Sequence, residues 1–90
     1  MIYKTVEGEL DLSKLKRLYP AVVVELDGDI AEMSLEWGDM NHNKVKIINY
    51  VLVFDFTPKD QEEKVKTTLS FKDKESLFTE MQKVSEVING

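Results

Sequence analysis

Asp39, Asn41 and Asn43 stand at alternate positions, as the first oxygen ligands of a calcium loop do. The pattern then breaks, because Lys44 occupies the place of the turn glycine and Tyr50 that of the bidentate glutamate. Asn and Asp also tolerate turn backbone, which explains the same letters in Gly38-Asp39-Met40-Asn41-His42-Asn43. His42 is the only histidine and the chain has no cysteine, so neither a zinc site nor a Cys-His dyad can be assembled from the usual groups. What remains to His42 is protonation between about pH 5 and 8.

No serine lies in a Gly-x-Ser-x-Gly elbow, and Gly8, Gly28, Gly38 and Gly90 are too scattered to form a phosphate cradle of successive amides. Glu25, Glu32 and Glu36 fall on one side of a predicted hairpin, where two carboxylates could work as general acid and base. Glutamates alternating with apolar residues are more simply the solvated face of a sheet. No cofactor or metal is implied, and the chain is expected to be noncatalytic.

The elements that position these residues come from hydrophobic periodicity. Asp27-Gly28 between two alternating runs is a strong hairpin signal, because a type I′ turn needs positive φ at both central residues. With Leu26 facing Asp29, Val24 faces Ala31 and Val22 faces Met33. Strands are predicted over Ala21 to Leu26, Ile30 to Trp37, Val45 to Phe56 and Lys64 to Phe71, joined as an antiparallel meander. Trp37 then pairs with Lys44, Met33 with Ile48, and Phe54 with Val65. Asp73 should cap a C-terminal helix whose Leu77, Met81, Val84 and Ile88 share one stripe. Asp11 should cap a short helix over Leu12 to Leu18, ended by Pro20, and Ile2 to Val6 adds a strand on an edge of the meander.

The fold expected is a single α+β domain over residues 1–90 in the order β-α-β-β-β-β-α. Four or five antiparallel strands would carry the C-terminal helix on the face of Tyr50, Phe54 and Leu69. A curled half-barrel plugged by that helix is the alternative. Trp37, Met33, Ile48, Tyr50, Leu52, Phe54, Leu69, Phe71, Leu77, Met81, Val84 and Ile88 form the expected core.

Composition narrows the function. With 42% apolar and 32% charged residues the chain falls in the globular range, and no apolar run is long enough to cross a bilayer. Residues 1–43 hold four basic against nine acidic side chains, so this half carries the whole net charge of −5. That excess, with Arg17 the only arginine, disfavours nucleic acid as a partner. The absence of cysteine favours a cytoplasmic location. Met1 to Glu9 has no signal-peptide pattern, so the mature chain is expected to begin at Met1.

The long third strand is apolar on both sides, and one helix covers only one of them. Val45, Ile47, Val51 and Val53 are expected on the second side, between the acidic flank of Glu32 and Glu36 and the basic flank of Lys66. An apolar centre with charged borders is the form of a protein-binding or self-association surface. Full burial of Val51 and Val53 within the single chain would sink this hypothesis. The Lys66 stem, the short N-terminal helix or curling of the sheet could each bring this about. The expectation is a noncatalytic intracellular binding module or homo-oligomer. The alternatives are a small ligand-binding domain or enzyme using the glutamates, or an acidic inhibitor protein.

Overall fold

A computed structural model describes residues 1–90. In it Asp27 and Gly28 have φ of 51° and 84°, the values their turn requires. They join β3 (Arg17–Leu26) to β4 (Asp29–Met33) in the predicted register, with Val22 opposite Met33 and Leu26 opposite Asp29. Before them, β1 (Ile2–Thr5) and β2 (Gly8–Asp11) form a hairpin of their own, followed by a 3-10 turn over Leu12–Lys14. After them come α1 (Leu35–Asn41), β5 (Lys46–Asp55), β6 (Lys66–Phe71) and α2 (Lys74–Asn89).

The protein is α+β with two antiparallel sheets, but the larger one is not a meander. Its order is β4-β3-β5-β6, so β5 lies beside β3 and not beside β4. Ala21 opposes Val51 and Val22 opposes Tyr50, which replaces the expected pairing of Met33 with Ile48. The chain must therefore pass from one side of β3 to the other between β4 and β5. It does so through α1, which replaces both the end of the expected strand to Trp37 and the loop Gly38 to Asn43. Ser34 starts that helix by accepting the Trp37 amide at 3.1 Å. Gly38 lies so close to β3 that a Cβ there would come within 2.7 Å of Val22 Cγ1.

Three further expectations are corrected. The segment expected as a helix over Leu12 to Leu18 is one 3-10 turn, capped by Asp11 through Ser13, and from Arg17 onward it is strand. Pro20 lies within that strand. Backbone polar groups alternate in direction, and the two-residue turn points those of Leu26, Val24 and Val22 toward β4. Those of Pro20 then point the same way, where β4 has already ended, so no ladder bond needs its missing N–H. Strand β1 pairs with β2 instead of with an edge of the large sheet. Both edges of the large sheet are unpaired, so it is not a closed barrel.

The hairpin β1–β2, α1 and α2 all pack on one side, called here the helix side. Leu52, Phe54 and Leu69 of the sheet meet Leu77 and Val84 of α2 and Tyr3 and Leu12 of the N-terminal segment. The Tyr3 ring stacks on Phe54 at 6.2 Å, and its hydroxyl donates to Glu80. Burial first, and that acidic acceptor second, push the Tyr3 phenol well above its ordinary pKa. Asp73 caps α2 as expected, accepting the Ser76 amide at 2.8 Å.

Of the expected core, Leu52, Phe54, Leu69, Leu77 and Val84 are buried, while Trp37, Met33, Tyr50, Phe71 and Met81 are half-buried. Ile48 is 45% exposed, because a bulge sets both Val23 against Asn49 and Val24 against Ile47 and leaves Ile48 without a partner. Ile88, in the last turn of α2, is also exposed. Strands β5 and β6 meet two residues away from the expected register, Tyr50 facing Phe71, which keeps the paired residues 50–55 and 66–71 on their expected sides.

Two substitutions test this packing. Leu69→Ala should cost roughly 2 to 5 kcal/mol in urea unfolding, through lost burial and the cavity left behind. Gly38→Ala should cost about 1 to 3 kcal/mol by forcing α1 away from Val22. A Gly38→Ala protein as stable as wild type would contradict the close crossing of α1 over β3.

Candidate functional site

With every other element on the helix side, the opposite side of the large sheet faces solvent. The register places on it Arg17, Tyr19, Ala21 and Val23 of β3 beside Asp55, Val53, Val51 and Asn49 of β5. Lys66, Thr68 and Ser70 of β6 border them on one flank, and Glu32 and Ile30 of β4 on the other.

The valines at its centre are closed off inside the single chain. Val51 and Val53 keep only 3% and 1% of their exposure, packed with Ala21, Tyr19 and Val23. Of the three ways in which this could arise, the geometry fits the lysine stem. Lys66 is on β6 and Tyr19 on β3, with β5 between them. Adjacent strands are about 4.8 Å apart, so the two side chains can meet only above β5. They do meet: Lys66 Nζ donates to Tyr19 Oη at 3.1 Å and lies 5.6 Å from the ring centre. Arg17 Cζ lies 5.0 Å from the same centre. Tyr19 thus meets two cations, Arg17 at its ring and Lys66 at its hydroxyl, and the Lys66 side chain passes over β5 to reach it.

Charge follows the same arrangement. The hydrogen bond to Tyr19, followed by the Coulomb fields of Tyr19, Asp55 and Glu32, raises the Lys66 pKa above the ordinary lysine value. Asp55 is buried, and its carboxylate accepts the Thr57 amide at 2.9 Å. Hydrogen bonding from Thr57, first by side chain and then by backbone, holds its pKa below the ordinary aspartate value against the opposing effect of burial. Lys66 and Lys64 add to that lowering. At the bulge, the Asn49 side-chain oxygen is shut away from solvent without a hydrogen-bond partner.

Where β4 stops short, the margin of this face is concave. A depression of about 340 Å³ lies beside β3, lined by Arg17, Tyr19, Glu32 and Met33 among others. A second, of about 360 Å³, opens between the β1–β2 hairpin and β6 over Leu10, Phe56 and Val65.

Of the residues expected to form the partner surface, Val51, Val53, Glu32 and Lys66 do share one side of the sheet. Val45 is half-buried just before β5. Ile47 faces Val24, which puts it on the helix side, and Glu36 is in the first turn of α1. Glu25 and Glu32 therefore share the open side as expected, and Glu36 alone is removed from it. Asp39 and Asn41 are helical, with Asp39 paired to Lys74 and the Asn41 amide donating to the Trp37 carbonyl. No group of three or more histidine, aspartate or glutamate side chains is arranged to hold a metal ion. No helix is long and apolar enough to cross a membrane.

Sequence reasoning missed Tyr19 and Arg17, which define this face. Their signal was Tyr19-Pro20-Ala21-Val22, whose alternation continues into β3 once Pro20 is allowed at a strand's open edge. Comparison with protein-family models, curated proteins and solved structures finds no match.

The lowered Asp55 pKa sets a pH dependence. Such a carboxylate contributes stability above its unfolded pKa of about 3.9 and loses it as pH falls through the lower folded value. Asp55→Asn should therefore be less stable than wild type at pH 7, with the gap narrowing below about pH 4. Urea unfolding at several pH values measures it, and a gap constant from pH 7 to 3 would contradict the assignment.

Proposed function

We propose that the protein is a small noncatalytic binding module that holds a protein partner on the open side of its four-stranded sheet. The observation that carries this reading is the one-sidedness of the fold, in which three separate elements crowd the helix side and none covers the other. Burial of Val51 and Val53 overturns the valine stripe as the contact surface, so the reading rests instead on the residues above and around them. Tyr19 and Arg17 are the types that dominate binding energy at interfaces, and Tyr19 is held in place before any partner arrives. Val23 is half-buried and Ile30 is 62% exposed, which supplies apolar area toward the acidic flank. The depression beside β3 gives a partner side chain somewhere to enter. Lys66 and Glu32, on opposite flanks, would orient the partner more than bind it. An intracellular setting belongs to the same proposal, since a small cysteine-free domain has no disulfides to gain from an oxidising compartment.

Site-specific photo-crosslinking in cells tests the reading. A photoreactive residue at Ile30 should capture a discrete protein that one at Gln82, on the exposed side of α2, does not. Excess untagged wild type should compete for that capture and Tyr19→Lys should not. Equal capture from both positions, or equal competition by Tyr19→Lys, would overturn the proposal.

A further inference from the structure

The outer edge of β6 is built to pair, on a surface separate from the open face. Val65 accepts the Phe56 amide and donates to Thr57 Oγ1, each at 2.8 Å, so its backbone groups point inward toward β5. Alternation then turns Thr67, Leu69 and Phe71 inward and leaves the N–H and C=O groups of Lys66, Thr68 and Ser70 directed outward, with no neighbouring strand. The opposite edge is poorer. There β4 turns only Ile30 and Glu32 outward, and the exposed half of β3 contains Pro20, which has no donor.

We propose that β6 pairs antiparallel with β6 of a second copy, Thr68 opposite Thr68, joining two four-stranded sheets into one. Three features of the edge fit this occupant. In this register all three outward residues of each chain meet outward residues of the other, giving roughly six backbone hydrogen bonds. Within the strand Lys66, its one charge, faces Ser70 of the partner and Thr68 makes a favourable threonine pair, while just outside it Lys64 faces Lys72 at each end. On the helix side Val65 faces Phe71, an apolar pair on each side of the twofold, and Thr67 faces Leu69. Neighbouring registers use less of the strand, because centring on Leu69 sets Lys66 against Lys72 and centring on Thr67 sets Ser70 against Lys64, each time an outward residue against a position outside β6.

Light scattering of wild type and Thr68→Pro from about 10 µM to 1 mM, beside backbone amide exchange, decides it. Proline at this position removes only an outward N–H, so the inward ladder to β5 survives. The expected result is a wild-type mass rising from 10.4 kDa toward twice that value, and a Thr68→Pro protein of native circular dichroism that stays at one chain. Amides of Lys66, Thr68 and Ser70 should gain protection with concentration, while those of Thr67, Leu69 and Phe71 are protected throughout. A wild type of single-chain mass over the whole range would overturn the proposal. So would a folded Thr68→Pro dimer, or a wild-type dimer in which those three amides still exchange fast. If Thr68→Pro does not fold, the amide pattern of the wild type decides alone.

Discussion

The fold depends on which strand satisfies the backbone of β5. That strand is ten residues long, and β4, its neighbour in sequence, has five. Pairing the two would leave half of the β5 ladder open, whereas β3 supplies nine opposed residues. β5 therefore lies on the far side of β3, and the chain must cross β3 to reach it. The crossing is possible because Gly38 lets α1 come down onto Val22. Once α1 lies there, the N-terminal hairpin and α2 close the rest of the same side, and the other is left to solvent.

An uncovered sheet face would ordinarily expose apolar area along its central strands. Here Tyr19 and Val23 pack on Ala21, Val51 and Val53, and Arg17 and Lys66 reach Tyr19 from either side of β5, so side chains stand where another fold would use a helix. The result is a surface that is apolar beneath and cationic and aromatic on top. The core of Leu52, Phe54 and Leu77 lies on the opposite side of the sheet from this layer.

Much of this was legible in the residues, and the failures have identifiable causes. The Asp27-Gly28 turn fixed the register of β3 with β4, and Asp73 marked the start of α2. The neighbour of β5 was not legible because side-chain parity cannot decide it. Val22 and Met33 oppose each other on the same side, so β5 matches its apolar residues equally well against β3 or β4. Leu12, Leu15 and Leu18 imitate helical spacing, and that hid the first half of β3 and with it Tyr19. Ser34 before Leu35-Glu36 was a cap signal, masked by the alternation of Ala31, Met33 and Leu35. Lys66, Glu32 and the two valines were placed correctly on one side of the sheet because parity alone assigns them. Their coverage depended on Tyr19, which the helical reading had removed from the sheet.

The strand order is most directly tested by nuclear Overhauser contacts between α-protons across the sheet. Antiparallel residues that do not exchange hydrogen bonds bring their α-carbons within about 4.5 Å. Contacts are expected between the α-protons of Val22 and Tyr50 and of Pro20 and Leu52, with the methyls of the Val51 and Val53 cluster touching Tyr19 but neither helix. A contact between the α-protons of Met33 and Ile48 would restore β5 to the side of β4 and contradict this strand order.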